Sequence, residues 1–160
     1  DVFLFSGSIR NNITLYNPDI TEEKIQQAIR MIGAERFIDR LPGGLDYEVM
    51  ERGNTLSAGQ RQMISFIRVL VYDPKILILD EATSSIDSET EELIQHAIST
   101  LMKGRTSIII AHRLSTIQHV SNIFVLDKGT IMESGTHEEL LQKDGIYSQL
   151  SSLQYAQSKE

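Results

Sequence analysis

Four consecutive aliphatic residues, Ile76-Leu77-Ile78-Leu79, preceded by Asp73-Pro74 and followed by Asp80-Glu81, constrain this chain more than any other stretch. A run this short, too brief for a helix and opened by a proline break, reads as a strand buried on both faces, as in a parallel sheet. Ligands of open α/β sheets bind just beyond the carboxyl ends of the strands. Asp80 and Glu81 therefore stand where a metal-bound phosphate would sit. Successive residues of an extended chain face opposite ways. One carboxylate can hold Mg²⁺ through its water shell while the other polarises an attacking water. Taken alone, the dipeptide also reads as a strand followed by an acidic helix cap.

Other properties narrow the field. At 160 residues and 41% hydrophobic the chain is one domain in size, with enough apolar mass for a core. A net charge of −7 without a long basic run argues against a sequence-independent grip on nucleic acid. The absence of cysteine excludes disulfides and thiolate metal sites, a pattern that fits a reducing compartment, and the four histidines show no metal-ligand spacing. No apolar run approaches the roughly 18 residues that span a bilayer, and no secretory leader is expected. Any link to a membrane is expected from another segment or chain. The opening Asp1-Val2-Phe3-Leu4-Phe5, apolar and without an initiator methionine, is expected of a segment cut from something longer.

Taken in order, Asn17-Pro18-Asp19 signals a turn, and Thr21 is placed to cap a helix with Glu22 and Glu23 in its first turn and Ile25, Ala28, Ile29 and Ile32 on one stripe. Leu41-Pro42-Gly43-Gly44 breaks that pattern and opens an exposed loop running through Gly53. Ser57 with Gln60 three residues later forms a capping box, and Met63, Ile64, Ile67, Leu70 and Val71 supply the buried stripe of the helix that follows, which must stop near Asp73-Pro74. Gly59 lies in its first turn, where glycine costs about 1 kcal/mol relative to alanine in a helix interior. It leaves backbone N–H groups open to an anion at the positive end of the helix; a plain cap with an incidental glycine is the other reading. Ser88 and Glu91 form another capping box, and Leu93, Ile94, Ala97, Ile98 and Leu101 make a helix ending near Gly104. A second buried strand, Thr106 to Ala111, delivers His112 at its carboxyl end, which repeats the placement of the acids; a lone histidine there is also an ordinary hydrogen-bonding residue. Leu114 to His119 reads as a short helix and Asn122 to Leu126 as a third strand. Asp127-Lys128-Gly129-Thr130 reads as a tight hairpin, Thr136 and Glu139 cap a helix, and a last helix follows Gly145.

A glycine-bearing helix start, a strand ending in Asp-Glu and a later strand ending in His, in that order, resemble the nucleotide-binding domain of ATP-binding cassette (ABC) transporters, from just after the Q-loop to the carboxyl terminus. Leu56-Ser57-Ala58-Gly59-Gln60 matches the family signature LSGGQ with Ala58 replacing the first glycine. Ile76 to Glu81 looks like Walker B with its following glutamate, Ser84-Ser85-Ile86-Asp87 like the D-loop, and Ile110-Ala111-His112-Arg113 like the H-loop. Glu48-Val49-Met50-Glu51-Arg52-Gly53 resembles the loop that exporters place before the signature to contact their transmembrane coupling helices, with Met50 where that family commonly has glycine, and Ser6-Gly7-Ser8-Ile9-Arg10-Asn11-Asn12-Ile13 is also similar to an exporter segment.

The resemblance implies an α/β fold: a partial P-loop NTPase core of the ABC/RecA-like kind with a helical signature subdomain. Residues 20–72 would form that subdomain, 73–145 the Walker B and H-loop core, and 146–160 a C-terminal helix. It further implies ATP hydrolysis that powers export across a membrane, from its cytoplasmic face. Asp80 would hold Mg²⁺, Glu81 would be the general base, and His112 would bind the γ-phosphate. Ser57, Ala58, Gly59 and Gln60 would close over ATP held by a second nucleotide-binding domain in a head-to-tail dimer that Asp87 links. A transmembrane domain is expected in the same polypeptide, and no nucleic acid. None of the six lysines follows a glycine, so the chain holds no G-x-x-x-x-G-K-S/T phosphate loop, and the adenine-stacking aromatic residue and Q-loop glutamine are absent. The isolated chain is expected to be inactive. Two alternatives keep the motifs but put them to other use, as a DNA-repair, chromosome-maintenance or ribosome-associated ABC ATPase, or as the non-catalytic half of an asymmetric ABC pair.

Overall fold

The computed structural model describes residues 2–50, 53–80, 88–111 and 114–157. It is a mixed α/β chain of two compact units, Asp1–Ile108 and Ile109–Glu160. In the first unit the described elements are β1 (Gly7–Ser8), α1 (Ile9–Thr14), α2 (Glu22–Met31), α3 (Glu35–Asp39), a 3-10 turn (Gly44–Asp46), β2 (Glu48–Val49), α4 (Ala58–Tyr72), β3 (Ile76–Asp80) and α5 (Ser88–Met102). They also include the start of β4 (Thr106–Ile110). The second unit holds α6 (Leu114–Ile117), β5 (Ile123–Asp127), β6 (Thr130–Gly135), α7 (His137–Gln142) and α8 (Ile146–Gln157).

Helix α4 is the spine of the first unit. Met63, Ile64, Phe66, Ile67, Leu70 and Val71 recur at helical spacing and are all buried, packing toward α1, α2 and α5. Each such side chain contributes about 1.5–3 kcal/mol relative to exposure. Two polar side chains of α4 reach further. Arg68 donates from Nε to the Asn12 carbonyl at 2.8 Å, and Tyr72 donates its hydroxyl to the Thr14 carbonyl at 2.7 Å. The six residues of α1 are too few to hold a helix in water alone. The carbonyls that α1 leaves open at its end find donors on α4 instead. Burial pulls the Arg68 guanidinium below its ordinary pKa, though arginine still keeps its charge. At the end of α4 Asp73 turns left-handed at φ +46 and pairs with Arg105, Nη2 to Oδ1 at 2.5 Å. Arg105 also donates to the last turn of α5 through the Leu101 carbonyl at 2.7 Å.

The expected helix starts are in place. Thr21 accepts from Lys24 N, Ser57 and Gln60 form a reciprocal capping box, and so do Thr136 and Glu139. Ile25, Ala28, Ile29 and Ile32 are buried as their spacing requires. Helix α5 begins at Ser88 itself, so the residue expected to cap it lies in its first turn. The capping position falls at 87, outside the described residues.

Two expectations are corrected. Strand β3, read as buried on both faces, alternates instead: Leu77 and Leu79 are buried, whereas Ile76 and Ile78 are 63% and 65% exposed. Its neighbour β4 likewise exposes Ile108 and Ile110. An all-aliphatic run identifies a strand but does not say how many layers cover it, and here one face is covered. The segment from Leu41 to Gly53, read as an exposed loop, is anchored by buried Leu45 and Val49 and contributes β2, which pairs antiparallel with β1 as Gly7↔Val49 and Ser8↔Glu48. A two-residue strand whose partner is 40 positions away leaves no periodic trace in the sequence.

The second unit is built on the β5–β6 hairpin. Asp127 and Thr130 close it across Lys128 at φ +47 and Gly129 at φ +79, the doubly left-handed turn whose twist matches that of paired strands. Ile123, Leu140 and Tyr147 form its core, with Ile117, Val120 and Val125 against them. Helix α8 is capped from a distance. The Glu133 carboxylate on β6 accepts from Ile146 N at 2.6 Å and Tyr147 N at 3.1 Å, and at Gly145 a Cβ would collide with that carboxylate. Tyr147 in turn sets its hydroxyl 2.7 Å from His137 Nδ1.

Candidate functional site

The first turn of α4 gathers four of the residues singled out from the sequence. Ser57 is the N-cap, with extended backbone at φ −65 and ψ 163. Its Oγ accepts from Gln60 N at 3.2 Å, while Gln60 Oε1 accepts from Ser57 N at 2.9 Å. Arg61 N makes the first bond back into the helix, to the Ser57 carbonyl at 3.0 Å. Both capping bonds consume acceptors. Several donors remain: the Ser57 hydroxyl hydrogen, the amide hydrogens of Gln60 Nε2, and the N–H groups of Ala58 and Gly59, which have no carbonyl four residues back within the helix. These donors sit at the positive end of a 15-residue helix dipole. The turn is therefore suited to an anion with several acceptor oxygens. Ser57 and Ala58 are exposed, Gln60 is half-buried and Gly59 is buried. The methyl group that Ala58 brings points to no packed interior.

Asp80 ends β3 as an exposed carboxylate. Among the described residues no three histidine, cysteine, aspartate or glutamate side chains come together as a metal cage. One carboxylate completed by water and phosphate oxygens is a common coordination for Mg²⁺, so Asp80 fits that ion. Glu81, Asp87 and His112, the other residues singled out, lie outside the described residues.

A second group of exposed apolar residues comes from two segments singled out in the sequence, the apolar opening and the 48–53 loop. Phe3 and Phe5 are about half exposed, their rings 5.0 Å apart edge to face, and Met50, which follows β2 directly, is 64% exposed. The Phe5 backbone is held by a buried side chain. The Asn12 amide, 1% exposed, accepts from Phe5 N at 2.8 Å and donates to the carbonyls of Phe5 at 2.9 Å and Ser8 at 3.1 Å. Arg10 on α1 is bonded to Asp46 at 3.0 Å and also paired with Glu22. The Asp46 hydrogen bond, with Glu22 behind it, lifts the Arg10 pKa further above its ordinary value. Exposed apolar side chains that lie together mark candidate interaction surfaces.

No helix among the described residues is long and apolar enough to cross a membrane. The profile of the family described as ABC transporter matches residues 2–84. The chain is 52% identical over 157 residues to a probable multidrug resistance ABC transporter ATP-binding/permease protein of Bacillus subtilis, covering 98% of this chain and 23% of that protein. It is 49% identical over 154 residues to a putative multidrug export ATP-binding/permease protein of Staphylococcus aureus, covering 96% of this chain and 27% of that protein. Among solved structures, a bacterial Atm1-family ABC exporter with ATP bound superposes with a TM-score of 0.85 at 40% identity, over 96% of this chain and 27% of the exporter. The chain thus spans about a quarter of the length of the relatives it matches.

Proposed function

Because this chain belongs to the ABC transporter family and is related to its exporter-type members, we propose that it supplies part of the ATPase that powers export of a substrate across a membrane. The observation that carries this reading is the donor-rich first turn of α4, Ser57 to Gln60. In the proposed assembly Ser57, Gly59 and Gln60 close over the γ-phosphate and ribose of ATP held by a second nucleotide-binding domain, head to tail, and exposed Ala58 is tolerated there. Asp87 links the two sites. Asp80 would hold Mg²⁺, which would neutralise phosphate charge. Glu81 takes the proton of the attacking water, and His112 hydrogen-bonds the γ-phosphate and orients that water. Phe3, Phe5 and Met50 form the surface that meets a transmembrane domain in the same polypeptide, at the cytoplasmic face of the membrane. The relatives' description as ATP-binding/permease proteins supports that arrangement.

The test is made in the full-length polypeptide that carries this chain, reconstituted in lipid. Glu81→Gln is expected to lower ATP turnover at least about 100-fold, the scale of losing a general base, while ATP still binds. Undiminished turnover overturns the reading. The 160 residues alone, lacking a G-x-x-x-x-G-K-S/T loop, are expected to bind ATP poorly and not to hydrolyse it. Turnover by the purified chain that Glu81→Gln abolishes would show otherwise.

A further inference from the structure

Strands β3 and β4 pair with each other, yet their side chains do not specify the register. On β3 Leu77 and Leu79 are buried while Ile76 and Ile78 are exposed. On β4 Ser107 and Ile109 are half-buried between exposed Thr106, Ile108 and Ile110. A slip of one residue would turn every side chain to the wrong face, so burial forbids it. A slip of two keeps each face as it is, exchanging one aliphatic side chain for another, and carries Asp80 about 7 Å along the strand.

What separates these two registers is polar and lies where both strands begin. Thr106 N donates to the Lys75 carbonyl at 3.2 Å, and Pro74 has no N–H to add a bond of its own. Just before β4, Arg105 sets Nη2 2.5 Å from Asp73 Oδ1 and Nη1 2.7 Å from the Leu101 carbonyl in the last turn of α5. Asp73 is fixed in turn as the left-handed C-cap of α4, at φ +46, its N–H donating to the Val69 carbonyl at 3.0 Å. One guanidinium thus spans the ends of both helices, and each helix leads into one of the two strands.

As a source of stability the pair is poor. The Asp73 side chain is 71% exposed, where an ion pair is worth little. Arg105 Nε is buried with no hydrogen-bond partner among the described residues, an unmet donor that calls for an explanation. Fixing a register is the best-attested use of polar contacts that stability alone does not justify.

We propose that the Asp73–Arg105 pair pins the register of β3 against β4, and that Arg105 is thereby a positioning residue for Asp80. It acts through the start of β3, without contact to nucleotide or ion. The inference rests on the ATPase reading for the role of Asp80 and on the strand contacts for the pin.

The experiment uses the reconstituted full-length polypeptide and measures the Mg²⁺ concentration for half-maximal turnover, KM for ATP, kcat, the thermal midpoint and amide exchange. Arg105→Met keeps the stem, removes every donor and leaves Asp73 in water. It is expected to hold the thermal midpoint within about 2 °C of the parent and to speed exchange at the Thr106 amide. The half-activating Mg²⁺ concentration is expected to rise about tenfold, the scale of a disturbed ligand shell. A fall in kcat of at least about tenfold, as for a small misplacement at a reacting centre, is expected with KM for ATP changed less than about twofold. Asp73→Gly, at ease at positive φ but without the acceptor, is expected to do the same. Asp73→Asn keeps an acceptor and tolerates that φ, and is expected to need Mg²⁺ within about threefold of the parent. A parental Mg²⁺ requirement in the Met variant, or a kcat that falls only in step with the folded fraction, overturns the pin. If Arg105→Met does not fold, Asp73→Gly decides by the same readings. Glu81→Gln in the same preparation separates the two readings. If it leaves turnover intact the ATPase reading fails and Thr106 exchange decides the pin, whereas if it abolishes turnover while the Arg105 and Asp73 variants match the parent, only the pin fails.

Discussion

Ser57 caps α4 and is proposed to meet a phosphate as well, and one substitution separates the two roles. As an N-cap its Oγ satisfies Gln60 N, worth about 1 kcal/mol against alanine. As an anion-facing donor its hydroxyl hydrogen would meet a phosphate oxygen. Aspartate caps a helix as well as serine does, but presents charge where a phosphate must come. Ser57→Asp is therefore expected to leave the thermal midpoint within about 2 °C of the parent and to abolish ATP turnover in the full-length polypeptide. Ser57→Ala is expected to lower stability and to reduce turnover only in part. Equal turnover in the Asp variant and the parent sinks the phosphate role of this residue. Ser57 and Gln60 were legible in the sequence because a capping box is a local rule with fixed spacing. Asn12 and Arg61 were not. Their partners, the Phe5 and Ser8 carbonyls and the Leu56 carbonyl, are backbone atoms, and the side-chain alphabet does not mark which carbonyl is left open.

The same division runs through the elements. Helices α2, α4 and α7 and the β5–β6 hairpin follow from caps, apolar stripes and a Lys128-Gly129 turn, all local. The β1–β2 pair and the cap of α8 depend on residues far apart in the chain, which explains why neither could be read beforehand. The α8 cap is the easier to test. Glu133 reaches from β6 to the Ile146 and Tyr147 N–H groups, and Tyr147 belongs to the core of that unit. Charge favours the arrangement, since a carboxylate at a helix N-terminus is stabilised by the dipole. Glu133→Ala is expected to cost about 1–2 kcal/mol and to speed amide exchange over residues 146–150, with the β5–β6 hairpin amides unaffected. Exchange that rises equally across the hairpin would mean that Glu133 supports the whole unit and not its last helix.

At the scale of the whole molecule, the exposed aliphatic side chains are the outstanding physical feature. Ile76 and Ile78 on β3 and Ile108 and Ile110 on β4 are more than half exposed, although the strands carrying them are almost wholly aliphatic. A sheet that meets water on one face normally alternates apolar with polar residues. Here the exposed positions have the composition of covered ones. The relatives, about four times as long as this chain, have ample mass to cover them. Ile78→Glu puts opposite demands on the two contexts. In the isolated 160 residues the carboxylate faces water, breaks an apolar patch and adds to the net charge of −7, so light scattering at rising concentration is expected to fall relative to the parent. In the full-length polypeptide the same carboxylate would be buried without a partner, at a cost of several kcal/mol, and folded yield is expected to drop sharply. If the full-length variant accumulates and turns over ATP like its parent, the β3 face is open to water in the complete protein too, and its isoleucines need another explanation.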